Sequence, residues 1–290
     1  MNILVSDTFK ESYATSHYII KALKKMGHTV TTSIEDFKAD IDLAVVIRGE
    51  TQNPVELRRG GVKRLVLWNY EPEGCPYLTK EKLDNYDFIF NSSKANNFWV
   101  SSRTKTPCMW LTQPIDPEDF YPMEQVKEKK CDVFYAGSCS AVAFNWIWHI
   151  YNLVTKKIRV AGKGWNVDSG CVYGKDFTLN CCEAKVCLVL PAWASPNFTG
   201  LDVSSTHYSL RNIMYLASGS MILAPENKDF DSLFTNSYQW YKYTILEHMI
   251  SQLKTMLKVS PMKQTIWKEI HAKYTYEETL KKLIKVSMNE

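Results

Sequence analysis

The sequence predicts an α/β protein made of two Rossmann-like domains, each a parallel sheet with helices on both faces. Three observations carry this reading. Short apolar runs, each ended by polar, Gly or Pro residues, alternate with helical or loop segments, and strands of a parallel sheet read as near-continuous apolar runs because both faces are covered. The alternation breaks once, in "PIDPEDFYPMEQVKEKK" (residues 114–130), where three prolines and a cluster of charges suit no element interior. At 290 residues the chain also exceeds the length at which a single core usually divides. The expected organisation is an N-terminal domain over 1–118, a linker over 119–130 and a C-terminal domain over 131–290.

In chain order, "NILVS" is the first strand, and Ser16 to Met26 is a helix with Ile19, Ile20 and Leu23 on one face and Gly27 at the C′ position. "HTVTTS", "IDLAVVIRG", "RLVLWNY", "YDFIFNSS" and "CMWLTQP" supply the remaining strands of the first domain. The second domain opens with the strand "CDVFYAGS". A Trp-rich helix over 141–156, the strand "KIRVAG", a helix near 175–184, the strand "VCLVLPAW", a helix over 207–219 and the strand "SMILAP" follow. Three helices close the chain: "YKYTILEHMISQLKTML", "SPMKQTIWKEIHAKY" and "TYEETLKKLIKV". The last carries a capping box in Thr275 and Glu278.

Composition excludes several classes. Apolar residues make up 45% and charged residues 23% of the chain, which excludes disorder. No run of 18 apolar residues would span a bilayer. "MNILVSDTFKESY" lacks the basic flank and apolar stretch of a signal peptide, so a cytoplasmic protein is expected, in the host cytoplasm were the chain viral. The eight cysteines form no CxxC pair, and neither metal nor disulfide is predicted. Residues 1–125 hold 15 Lys and Arg against 17 Asp and Glu, and residues 126–290 hold 20 against 14, so the net charges are −2 and +6. The basic half is the expected home of an anionic ligand. "NILVSDTFKES" has no GxGxxG and no acidic residue at dinucleotide spacing, which argues against an NAD-dependent oxidoreductase.

Ligands of open parallel sheets bind beyond the carboxyl ends of the strands. In the second half this singles out Gly137 and Ser138 in "AGS", and Lys163 and Trp165 in "AGKGW". It also singles out Tyr173 and Gly174 in "VYG", and the start of the 207–219 helix with Ser205, Thr206, His207 and Ser209. On that helix Leu210, Ile213, Met214 and Ala217 form a core stripe with Arg211 on its border. A cation near a helix N-terminus opposes the dipole unless an anion compensates. A ligand diphosphate or a carboxylate such as Asp202 would each do so. Ser218 and Gly219 end the helix. Tyr173 is either a base-stacking ring or a core tyrosine, Lys163 either a phosphate ligand or a solvated loop lysine, and His207 either a phosphate donor or a local cap. In the first half, Asp7, Lys10, Arg48, Glu50, Trp68, Tyr70 and Glu71 follow strands and are the acceptor-side candidates.

Taken in order, "VFYAGS", "GKGW", "VYG", "SLRNIMYLASGSMILAP", "LF" and "YTYEETLKKLI", with "VLWNYEPEG", "YDFIFNSS" and "WLTQPIDPEDFYP" before them, resemble a retaining glycosyltransferase of the GT-B fold, nearest the CgeB-like, group 1 branch. The resemblance implies transfer of a sugar from a nucleotide-sugar, UDP-linked by expectation, to a hydroxylated acceptor such as a glycan. No cofactor or bound metal is expected, in keeping with the lack of a DxD motif. It puts the family's arginine at Arg211, its glycine at Gly219 and the small residue before it at Ser218. Arg211 and Lys163 would stabilise the leaving diphosphate. The chain departs from the pattern where Met214 and Thr206 stand in place of glutamates. Two alternatives follow: a DNA glycosyltransferase acting on hydroxymethylated bases, and a catalytically degenerate nucleotide-sugar or carbohydrate-binding protein.

Overall fold

A computed structural model describes residues 1–7, 15–33, 40–49, 53–70, 75–165, 170–190, 210–234, 240–259 and 265–288. It divides the chain into two compact units, Met1–Pro114 with Tyr274–Glu290, and Ile115–Lys273.

The first unit holds strands β1 (Asn2–Ser6), β2 (Thr29–Thr31), β3 (Ile41–Ile47), β4 (Val62–Asn69), β5 (Phe88–Asn91) and β6 (Cys108–Trp110), in the order β2-β1-β3-β4-β5-β6. All pair in parallel. β3 and β4 are buried along nearly their whole length, as central strands covered on both faces must be. Helix α1 (Thr15–Lys25) buries Tyr18, Ile19, Ala22 and Leu23. It ends as its glycine predicts: Gly27 takes φ +85°, its N–H reaches the Lys24 carbonyl and that of His28 the Leu23 carbonyl. Helices α2 (Pro54–Arg59), α3 (Lys80–Leu83) and α4 (Lys94–Ser101) start on the caps Asn53, Thr79 and Ser93.

In the second unit, β7 (Cys131–Ala136), β8 (Ile158–Ala161), β9 (Ala184–Leu188), β10 (Ile222–Pro225) and β11 (Trp240–Tyr243) form a parallel sheet in the order β11-β10-β9-β7-β8. Helices α5 (Ala141–Leu153), α6 (Gly174–Glu183), α7 (Leu210–Ala217), α8 (Lys228–Asp231), α9 (Leu246–Met256) and α10 (Ile266–Lys273) accompany it. The cysteines are free: five are buried, and Cys171 is exposed.

Four expectations are corrected. The start of "YKYTILEHMISQLKTML" is not helical, because Trp240–Tyr243 pairs with β10 from Ile222↔Trp240 to Pro225↔Tyr243. The last helix, α11 (Tyr276–Ser287), leaves the second domain for the first unit: Tyr276 stacks on Tyr18 with centroids 5.5 Å apart, and Lys25 pairs with Glu277 at 2.6 Å. Thr275 caps it as expected, accepting from the Glu278 N–H. The stretch read as a linker packs on α6. Phe120 meets Phe177 edge-on, Thr178 Oγ1 donates to the Asp119 carbonyl at 2.7 Å, and Lys129 Nζ donates to the Cys182 carbonyl at 2.6 Å. The buried side of α7 consists of Asn212, Ile213, Tyr215, Leu216 and Ala217, whereas Leu210 and Met214 are only half-buried.

Candidate functional site

In the second unit the carboxyl ends of β7 and β8 turn back through three glycines. Gly137 follows β7 and sends its N–H to the Ala161 carbonyl at 2.8 Å. Gly162, at φ +138°, follows β8 and sends its N–H to the Gly170 carbonyl at 2.8 Å. The two turns touch: a Cβ at Gly162 would stand 2.6 Å from the Gly137 carbonyl carbon and nearer still to its oxygen. The Trp165 indole N–H donates to the Gly137 carbonyl at 2.7 Å, and its rings meet Tyr135 edge-on at 5.9 Å. Farther along, the Cys139 N–H reaches the Lys163 carbonyl at 2.8 Å, and Gly164 carries φ +87°.

Helix α7 grips the end of β7 from two directions. The Ala136 N–H donates to Tyr215 Oη at 3.0 Å, and the Ala136 carbonyl accepts from Arg211 Nη1. The guanidinium thus bonds a strand carbonyl at the sheet's carboxyl edge, and Asp202, the carboxylate considered for it, lies outside the described residues. A Cβ at Gly137 would lie 2.5 Å from Arg211 Nη1 and 2.7 Å from Tyr135 Cζ, so the missing side chain is what admits the arginine. Burial raises the pKa of the Tyr135 hydroxyl above the ordinary tyrosine value, against the opposing pull of Arg211. The phenol there is neutral near pH 7 and places no anion beside the arginine.

Around this edge Ser138 and Lys163 are exposed, and Lys163 makes no ion pair among the described residues. Tyr173 is 41% exposed, which removes the core-tyrosine reading. Gly174, at φ +51°, starts α6 over the Asp119 carboxylate. Met214 is half-exposed one helical turn from Arg211, on the same side of α7. Glu226 stands exposed directly after β10, two strands from β7 and so roughly 10 Å across the sheet.

Ser218 and Gly219 sit elsewhere. They follow the C-terminal end of α7 and lead into the amino end of β10. Ser218 is buried, donates to the Met214 carbonyl at 2.9 Å and lies 3.2 Å from Thr178 Oγ1. Gly219 takes φ +73° with Pro122 packed over it, where a Cβ would meet Pro122 Cγ at 3.0 Å. Both residues fix α7 and take no place beside Arg211. Ser205, Thr206, His207 and Ser209 lie outside the described residues, as do Lys10, Glu50 and Glu71 in the first half.

Within the first unit, Asp7 and Arg48 follow β1 and β3. Arg48 has φ +65°, and its N–H donates to the Trp68 carbonyl at 3.0 Å. Trp68 is fully buried and packs on Tyr70 at 5.3 Å, so it does not present a stacking face. The carboxyl ends of β4, β5 and β6 carry instead a buried neutral cluster absent from the sequence reading. Asn69 Nδ2 donates to Asn91 Oδ1 at 3.1 Å, Asn91 Nδ2 donates to Asn97 Oδ1 at 3.1 Å, and Trp110 Nε1 donates to the Ser92 carbonyl at 3.3 Å. Gln113 Oε1 and Ser92 Oγ are buried there without a hydrogen-bond partner among the described residues. The available signal was the polar residue ending each apolar run, Asn69, Asn91 and Gln113, which reads in sequence only as a strand stop.

No family model matches the sequence, and no curated protein matches it. Solved structures do match its fold. A sucrose-phosphate synthase from Thermosynechococcus elongatus aligns with a TM-score of 0.70 and 11% identity, over 100% of this chain and 99% of that one. HepE from Anabaena, crystallised with UDP and glucose, aligns at 0.67 and 7%, over 98% of each chain. A DNA-modifying β-glucosyltransferase aligns at 0.58 and 11%, over 99% of this chain and 97% of that one. The chain therefore has the two-domain parallel α/β fold that these glycosyltransferases share, the GT-B fold.

Proposed function

We propose that the protein is a glycosyltransferase that moves a sugar from a UDP-linked donor to a hydroxyl acceptor with retention of configuration. The observation that carries this reading is Arg211, held by the Ala136 carbonyl at the carboxyl edge of the second sheet, beside a turn that only glycine permits. A departing nucleoside diphosphate gains negative charge as the sugar bond breaks. A fixed guanidinium stabilises that charge, and donors so placed are worth about 3 kcal/mol where comparable ones have been removed. Lys163, exposed on the neighbouring turn, supplies a second cation. Tyr173 offers a ring to the base, and Glu226 offers a carboxylate to the ribose in place of the glutamates missing at Met214 and Thr206. The reaction on this reading needs no metal.

The acceptor is a glycan or another neutral hydroxylated molecule. The first half carries a net charge of −2, which suits a neutral acceptor better than a polyanion. Acceptor DNA would instead meet basic charge. The likeness to a DNA-modifying enzyme makes hydroxymethylated DNA the comparison substrate.

The test is a thermal-shift series of wild type, Arg211→Ala and Lys163→Ala against UDP, GDP, ADP, TDP and CDP, each read against its own ligand-free melting temperature. Donor hydrolysis and transfer are then followed with the matching nucleotide-sugar. The reading expects one nucleotide, UDP, to stabilise wild type and lose its effect in Arg211→Ala. No shift with any nucleotide refutes it. A shift without turnover leaves the degenerate binding protein.

A further inference from the structure

Only one side of the Trp-rich helix α5 belongs to the core. Ala143 and Ile150 are buried, and Trp146, Ile147 and Val154 pack against the same cluster, Trp146 at 5.5 Å from Tyr243. On the opposite side Phe144, Trp148 and Tyr151 fall at i, i+4 and i+7 and are 57%, 52% and 47% exposed. Together they make an aromatic line roughly 10 Å long on the protein surface. Contiguous exposed aromatics of this extent are often functional.

Charge identifies that partner. α5 carries no Asp, Glu, Lys or Arg, and the span 133–166 holds Lys156, Lys157, Arg159 and Lys163 with no carboxylate at all. Lys156 and Lys157 are exposed just beyond the helix, and Lys156 Nζ lies over the Tyr151 ring, 3.7 Å from its centroid. The cation thus sits at the end of the aromatic line. We propose that α5 docks this protein on an anionic lipid surface, with Phe144, Trp148 and Tyr151 in the headgroup boundary and Lys156 and Lys157 on lipid phosphates. Phe, Trp and Tyr suit that boundary because their rings enter the acyl region while polar tips and flanking lysines stay hydrated. The helix lies on the bilayer and does not cross it: no helix among the described residues is long and apolar enough for that. A second copy of the chain fits less well. Three half-exposed aromatic side chains offer about 300 Å², against roughly 800 Å² per partner in a stable dimer.

The experiment is co-sedimentation of the full chain with phosphatidylcholine vesicles, with and without about 30% phosphatidylglycerol. Each lysine near an anionic surface strengthens binding about fivefold. Lys156→Glu with Lys157→Glu should therefore lower binding to the anionic vesicles at least tenfold. Phe144→Ser with Trp148→Ser should lower it as far, with an unchanged melting temperature because both side chains are exposed. Trp148→Phe should retain it. Absence of vesicle binding by wild type overturns the proposal, and so does binding indifferent to both double variants. Self-association in analytical ultracentrifugation, abolished by Phe144→Ser with Trp148→Ser in the absence of lipid, assigns the face to a second copy and also overturns it.

Discussion

Gly162→Ala isolates the contact on which the proposed donor site rests. The backbone at Gly162 has φ +138°, a region that costs an L-residue about 1–3 kcal/mol. The added methyl would meet the Gly137 carbonyl carbon at 2.6 Å. Because that atom belongs to the backbone, no rotamer relieves the collision, and overpacking of this kind costs a further 1–3 kcal/mol or so. The expected loss is roughly 2–6 kcal/mol, or a melting temperature lower by about 5–20 °C. Gly170→Ala is the control within the same unit. Its φ is +50° with no atom within 4 Å of a built Cβ, so it carries strain without collision. Melting both variants by circular dichroism, and repeating the nucleotide shift on Gly162→Ala, tests the chain of reasoning. A moved Gly137 displaces Ala136 and with it the Arg211 anchor, so nucleotide stabilisation should fall together with stability. Melting of Gly162→Ala within about 2 °C of Gly170→Ala would refute the interlocked-turn argument.

Three further outcomes are expected. Trp165→Phe keeps the ring against Tyr135 but strips the Gly137 carbonyl of its 2.7 Å donor, a loss of about 1–3 kcal/mol measurable by urea unfolding. Tyr276→Ala removes the stack on Tyr18 and should destabilise the first unit by about 3 kcal/mol, freeing α11 to limited proteolysis before the second unit is cut. His271 donates Nε2–H to the Phe120 carbonyl at 2.7 Å, and burial lowers its pKa below the usual 6.5 although its backbone bonds act the other way. The unfolded chain therefore binds the proton first as pH falls. The stabilising contribution is complete above about pH 6.5 and is lost below it, and His271→Gln should flatten that part of the stability–pH curve.

Most strands were legible because burial on both faces writes a run such as "IDLAVVI" directly into the sequence. β11 was not: four residues, "WYKY", are too few to show a period of two, and they run straight into the amphipathic α9. The same limit hid the place of α11, since the stack of Tyr276 on Tyr18 joins residues from opposite ends of the chain. At the site, Gly137 and Arg211 were readable from residue type, because a strand ending in glycine and a cation in the first turn of a helix are both local anomalies. The bond from Arg211 to Ala136 was not readable, because its acceptor is a main-chain carbonyl 75 residues away that any sequence would supply. Ser218, Gly219 and Trp68 erred in the other direction. Small residues and aromatics near strand ends are needed for packing as often as for ligands, and only burial separates the two uses.

The contacts of α7 explain why the arginine is placed as it is. At its C-terminal end, Ser218 against Thr178 and Gly219 beneath Pro122 fix where the helix stops. Arg211 in its first turn and Tyr215 near its end take both backbone groups of Ala136. On the proposed reading, a helix held at these points keeps the guanidinium in place before any anion arrives. That condition is what electrostatic stabilisation of a leaving group requires, since a cation that must reorganise spends its advantage doing so. The proposed role also favours arginine over lysine at residue 211. A guanidinium has five donors in a rigid plane and can bond the Ala136 carbonyl through one nitrogen while facing an anion with another. An ammonium is a single compact charge, and on the proposed reading a lysine that reached Ala136 would not also reach a diphosphate.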